Sequence, residues 1–141
     1  DLGATHCFDS RNNDTIEAIR DLTNGGVDFA IDLAGVIAAM DTAYQIIRYG
    51  GSVVTAGLSP INTKFSFNHS DLVAQEKSIL GSYMGSCVPV RDVPRFLNLY
   101  LQGRLPVDKL IDGKIGFDNL NEGFDKLSKG EVVRQILLPN G

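Results

Sequence analysis

Long apolar runs are missing from this sequence, and so is any run of basic residues. No stretch approaches the ~20 residues that a membrane-spanning helix requires. Asp1 and Gly3 interrupt any leader-like apolar segment at the start. With a formal net charge of −4 and no clustered Lys or Arg, the chain has no footprint for nucleic acid. There are only two cysteines, Cys7 and Cys87, and they lie too far apart to form a metal-type pair or a disulfide framework. They read as free thiols of a cytoplasmic, reducing setting. The two histidines, His6 and His69, have no partnered Cys or Ser at useful spacing. No Cys/His set could hold a catalytic zinc, and no G-x-G-x-x-G turn joins a strand to a helix, so a phosphate-cradling loop is also lacking.

The 141 residues are 43% hydrophobic and 21% charged, which gives enough apolar material for a core and argues against general disorder. Leu2-Gly3 has the form of a helix exit with no helix before it, and there is no initiator Met. The chain is therefore expected to be part of something longer. Thr5 to Phe8 suits a short strand. Asp14-Thr15-Ile16-Glu17 has the form of a capping box opening a helix over about 14–23. Val27 to Leu33 is apolar on both faces apart from its aspartates, as in a parallel strand covered on both sides. Val36, Met40, Ala43, Tyr44 and Ile47 recur at helical spacing, predicting a helix over about 36–48 that ends at Gly50-Gly51.

Ser52 to Ala56 forms the next expected strand, closed by Gly57. Phe65 to Phe67 alternates like an edge strand, Asp71 to Lys77 suits a short helix, and Ser78 to Met84 suits a strand closed by Gly85. A helix over about 92–102 with Pro94 in its first turn follows, and then a loop from Leu105 to Gly116. Asp118 is expected to cap a last helix with Leu120, Phe124 and Leu127 facing inward, before a final strand over Val132 to Leu138. This alternation predicts an α/β fold: a parallel sheet with helices on both faces, joined by right-handed crossovers.

Gly35, Gly57 and Gly85 each follow a predicted strand. In open parallel sheets, ligands bind outside the carboxyl ends of the strands, and glycine there allows a ligand close to the backbone. The same glycines could simply serve as turn residues. Asp28 and Asp32 share one face of their strand and could act as an acid–base pair, although one of them at the sheet's carboxyl edge would instead bond to loop amides. Arg91, Arg95 and Arg104 read as solvated. Arg134 stands inside the apolar run Val132 to Leu138 and wants an anionic partner, either a ligand or a surface carboxylate.

Leu2-Gly3-Ala4-Thr5-His6, Leu22-Thr23-Asn24-Gly25-Gly26-Val27-Asp28 and Tyr49-Gly50-Gly51-Ser52-Val53-Val54 with Gly57 resemble the cofactor domain of medium-chain dehydrogenases. The segments Ser78 to Ser86 and Ile115 to Leu127, with Val133-Arg134, are similar to the end of the zinc-type alcohol dehydrogenases of that superfamily. The resemblance implies a Rossmann-like domain, over 1–88, that lacks its first strand–helix–strand unit. It is followed over 89–141 by a helix, loop, helix and strand.

The implied activity is that of an oxidoreductase transferring hydride between an alcohol and NAD or NADP, with zinc held by ligands outside this chain. No catalytic or metal-binding residue would lie within the chain, and the fragment alone would be inactive. Ala34 and Gly35 then correspond to the tip near the adenine side, with Val36 where some members have an arginine. Ala56, Gly57 and Leu58 correspond to the tip lining the nicotinamide. Ser82 and Met84 correspond to the backbone groups that fix the carboxamide, and Arg134 to an arginine reaching the pyrophosphate. The implied partners are the nicotinamide cofactor, an alcohol or aldehyde, and further copies of the chain. Two alternatives stay open: a zinc-free quinone or enone reductase fragment, and a small non-enzymatic nucleotide-binding module.

Overall fold

The computed structural model describes residues 2–140. It divides into two compact units, residues 5–87 and residues 2–4 with 88–140.

The first unit is built on a three-stranded parallel sheet in the order β1-β2-β3, formed by β1 (Val27–Asp32), β2 (Ile47–Thr55) and β3 (Ser78–Gly81). Helices α1 (Thr15–Leu22), α2 (Ile37–Ile46) and α3 (His69–Ala74) alternate with the strands, giving the α/β order expected of the sequence. The helical spacing of Met40, Ala43 and Tyr44 carries them inward against Ala30, Ile47 and Val53, and together these six form the buried core. Val53 is 0% exposed and Ile47 1% exposed, so they anchor β2 beneath α2. Removing either side chain would cost on the order of 2–5 kcal/mol.

Along β1 the alternation is strict in its consequences. Ala30 and Asp32 point into the core, whereas Phe29, Ile31 and Leu33 are 71%, 66% and 75% exposed. The strand is thus covered on one of its two apolar faces within the described residues. Lys77 extends across the Tyr44 ring at 4.7 Å and donates to the Tyr44 carbonyl at 3.1 Å. Burial pushes the Lys77 amine below its ordinary range.

Several local expectations are overturned. Asp14 makes no capping bond, because it already sits in the helical region (φ −93°, ψ −1°) instead of the extended geometry a cap needs. The entry is tied instead by the Thr15 hydroxyl, which donates to the Asp9 carbonyl at 2.6 Å. Thr5 to Phe8 is not a strand, having no ladder partner among the described residues. Phe65 to Phe67 is not a strand either. Both rings pack on Tyr44, with centroids 6.2 and 6.1 Å away.

Helix α2 stops at Ile46, and the chain runs directly into β2 because Ile47 is drawn into the core. Gly50-Gly51 therefore lies inside β2, at an irregularity where the register passes from Val27↔Ile47 to Phe29↔Ser52. Strand β3 ends at Gly81, and Gly85 belongs to a 3-10 turn over Met84–Ser86 with φ +66°.

The second unit contains α4 (Pro89–Leu101), a two-stranded parallel sheet of β4 (Gly113–Ile115) and β5 (Gln135–Leu137), and α5 (Leu120–Ser128). Helix α4 begins three residues before the expected Asp92, with a proline in its first turn, and Pro94 lies inside it. Asp92 is 6% exposed and accepts from the Val88 amide at 2.9 Å, satisfying one of the helix's open donors. Arg91 and Arg95, expected to be merely solvated, pair with it at 2.7 and 3.3 Å.

Strand β4 falls where a loop was expected. Asp112 holds its partner in place: it accepts from the Val133 amide and, at 3.1 Å, from the Arg134 amide. Those two amides keep the Asp112 carboxyl below its ordinary range. Asn119, not Asp118, precedes α5. Phe124 and Leu127, expected inside, are 61% and 47% exposed and line an open apolar groove.

Candidate functional site

The parallel strands β1 and β2 end side by side, at Asp32 and Thr55, and the residues beyond them form the tips of the sheet. Asp32 is 5% exposed. Its Oδ1 accepts from the Ala34 and Gly35 amides at 3.0 and 3.4 Å, and its Oδ2 accepts from the Thr55 hydroxyl at 2.9 Å. Its main-chain carbonyl accepts from the Ala56 and Gly57 amides at 2.8 and 3.2 Å. The carboxylate is thus the one expected at the carboxyl edge, bonded to loop amides. Asp28 points elsewhere and pairs with Arg48 at 2.6 Å, so the two aspartates do not form an acid–base pair.

Four of the predicted site residues are brought into direct contact. A Cβ built on Gly57 would lie 2.1 Å from the Gly35 nitrogen and 2.9 Å from the Ala34 carbonyl carbon. One built on Gly35 would lie 2.8 Å from the Leu58 oxygen, and Gly35 also has φ +67°. The tips touch backbone to backbone, so both positions require glycine. The Ser59 hydroxyl adds a further tie, donating to the Gly35 carbonyl at 2.7 Å.

Between the β2 and β3 tips lies an open cleft of about 370 Å³, lined by Thr55, Ala56, Gly57, Leu58, Gly81, Ser82 and Tyr83. Ser82 is among its lining residues, and its amide is engaged, donating to the Thr55 carbonyl at 2.9 Å. Met84, 65% exposed, is not among the cleft's lining residues. A second cavity of about 320 Å³ extends from Asp32, Thr55 and Gly57 toward Val36 and Ile37 at the start of α2, and toward Phe65. Gly85 joins neither cavity.

Arg134 belongs to the second unit, at the rim of the apolar groove with Phe124 and Leu137. Its side chain forms no ion pair among the described residues. Thr55, Ser59, Gly81 and Tyr83 were not singled out by sequence. Thr55 could have been, as the hydroxyl residue directly before Ala56-Gly57 at a strand end.

The groups present suit the ring end of a nicotinamide cofactor, because glycine-lined strand tips and main-chain carbonyls, which accept, can approach a flat amide-bearing ring closely. They do not suit zinc. Among the described residues, no three His, Cys, Asp or Glu side chains come together.

Comparisons with known proteins agree with this architecture. The alcohol dehydrogenase 1 of Cenchrus americanus is 33% identical over 122 residues, covering 86% of this chain and 32% of that protein. The alcohol dehydrogenase 1 of Oryza sativa subsp. indica is 30% identical over 139 residues, covering 96% and 36%. The chain therefore spans about a third of the length of these curated relatives.

Among solved structures, benzyl alcohol dehydrogenase from Acinetobacter calcoaceticus superposes with a TM-score of 0.89 at 31% identity, covering 96% of this chain and 37% of that one. A zinc-binding dehydrogenase structure from Sinorhizobium meliloti 1021, bound to NADP, gives 0.80 at 29% identity, covering 97% and 40%. The family described as zinc-binding dehydrogenase matches residues 1–102. With its paired strand tips, its Rossmann-like α/β order and this match over most of its length, the chain belongs to the zinc-binding dehydrogenase family.

Proposed function

We propose that this chain is the cofactor-binding part of an oxidoreductase that transfers hydride between an alcohol and NAD or NADP. The observation that carries the reading is the cleft at the carboxyl ends of β2 and β3, where Ala56, Gly57 and Leu58 face Ser82. The alcohol dehydrogenase names of the relatives, and NADP in the Sinorhizobium meliloti structure, support the same chemistry.

When bound, the nicotinamide ring supplies the hydride acceptor or donor. This chain's part is to hold the ring. Ala56 to Leu58 form the wall it lies against. Ser82 faces its carboxamide and contributes its carbonyl, since its amide is engaged. Ala34 and Gly35 form the tip toward the adenine side. Zinc, where the reaction uses it, has its ligands outside these residues. Assembly into a homo-oligomer in the cytoplasm belongs to the same proposal, with β1 at an edge of its sheet.

The test is an NMR titration of the chain with oxidised nicotinamide mononucleotide. The amide signals of Ala56, Gly57, Leu58 and Ser82 are expected to shift together and saturably. Shifts scattered over the surface, or none, would refute the assignment.

A further inference from the structure

We propose that Asp32 is the positioning residue of this cleft, acting through Thr55 and the Ala56–Gly57 peptide to aim a carbonyl at the carboxamide of the bound ring. The inference rests on the cofactor reading above and assigns a task to a side chain that the reading leaves unused.

Asp32 collects five donors: three on its carboxylate and two on its carbonyl. It forms no salt bridge to Lys or Arg among the described residues. The ladder between β1 and β2 closes at Asp32↔Thr55, and beyond that pair the main chain ties the strands through the Asp32 carbonyl, which accepts from the Ala56 and Gly57 amides. The carboxylate continues the tie past the end of the ladder. It grips the Ala34–Gly35 turn with one oxygen and the β2 tip, through the Thr55 hydroxyl, with the other.

The orientation of the tip follows from peptide geometry. In a planar trans peptide, N–H and C=O point in opposite directions. The Gly57 N–H points at the Asp32 main-chain carbonyl, toward β1. The Ala56 carbonyl of the same peptide is therefore directed away from β1, toward the side where Gly81, Ser82 and Tyr83 line the cleft. With the Ala56 and Gly57 amides turned inward, the cleft presents acceptors on this wall. An acceptor wall favours a ligand group that donates N–H and disfavours one that carries a carboxylate. The Asp32 carboxylate braces the backbone that presents this wall, through the Thr55 hydroxyl and the Ala34–Gly35 turn, and so supports the site's preference for a carboxamide over a carboxylic acid.

The experiment compares oxidised nicotinamide mononucleotide with nicotinic acid mononucleotide, in which a carboxylate replaces the carboxamide. Affinities are measured by NMR titration of the unaltered chain and of Asp32→Asn and Thr55→Val. An asparagine side chain has one accepting oxygen where the carboxylate has two, and Thr55→Val breaks only the Oδ2 bond. Asp32→Asn is expected to weaken the carboxamide probe by about tenfold and the carboxylate probe far less, so that their affinity ratio falls. Thr55→Val should shift the ratio in the same direction. A merely structural role would lower both affinities together. Binding by the unaltered chain with an unchanged ratio in both folded variants overturns the role of Asp32 alone. No binding of either probe by the unaltered chain overturns the cofactor reading and this inference with it. Should Asp32→Asn fail to fold by circular dichroism, the Thr55→Val ratio decides.

Discussion

Replacing Gly57 by alanine puts a methyl group where the two strand tips meet. The added Cβ would stand 2.1 Å from the Gly35 nitrogen, 2.6 Å from its Cα and 2.9 Å from the Ala34 carbonyl carbon. All three are backbone atoms, so no flexible side chain can move aside. The tips must separate by an ångström or more, and the bonds from Gly35 and Ala34 to Asp32 would lengthen with them. Overpacking of this kind costs about 3 kcal/mol, the upper end of the usual range, and that is a large part of a typical domain's stability.

Gly116→Ala is the matched control. Nothing lies within 4 Å of its Cβ position, and a change within about 0.5 kcal/mol is expected there. The assay is urea unfolding followed by circular dichroism, with nicotinamide mononucleotide binding measured on the same samples. Gly57→Ala should lower the midpoint sharply and abolish the saturable shifts at Ala56 and Leu58. If it unfolds at the same urea concentration as Gly116→Ala and binds equally well, the close approach of the tips is not what shapes the site.

Two further outcomes are expected. The Asp112 carboxyl is held below its ordinary value of 3.8 by the Val133 and Arg134 amides. The stability it contributes is therefore complete above pH 3.8 and is lost as the pH falls through the lower value it has in the folded chain. Exchange protection of those two amides, followed by NMR, should hold at about pH 4 and collapse well below it, and protection lost already at about pH 5 would refute this. The isolated chain should show no alcohol oxidation with NAD or NADP, with or without added zinc, because no donor set for the metal comes together among its described residues. Zinc-dependent formation of reduced cofactor by the purified chain, followed by its near-ultraviolet absorbance, would contradict that.

The parts of the fold legible in the sequence were those set by local periodicity. The helical spacing of Met40, Ala43 and Tyr44 carries its own burial, and the apolar run Val27 to Leu33 marks β1, although only one of the two faces expected to be covered is buried and Phe29 and Ile31 are exposed. Asp32 was legible as an edge carboxylate because strand polarity put it there. What depended on distant partners was not legible. Strand β4 is three residues, Gly113–Ile115, with no strand signature, and it exists because β5 arrives alongside it much later in the chain. Gly50-Gly51 reads as a helix stop by itself, but burial of Ile47 turns it into a strand irregularity.

The site shows the same division. Gly35 and Gly57 announce themselves at strand ends, whereas Thr55 and Ser59 gain their parts only from Asp32 and the Gly35 carbonyl across the tip. The loss of Gly85 as a tip follows from β3 ending at Gly81, a boundary no local pattern marks.

The central claim, that these tips hold a nicotinamide ring, is tested most directly by intermolecular nuclear Overhauser effects between the ring protons of bound oxidised cofactor and the protein. Contacts to the Ala56 methyl and the Leu58 methyls are predicted. Ring contacts confined to the Phe124–Leu127 groove, or to the exposed Phe29 and Ile31 side chains, would contradict the account.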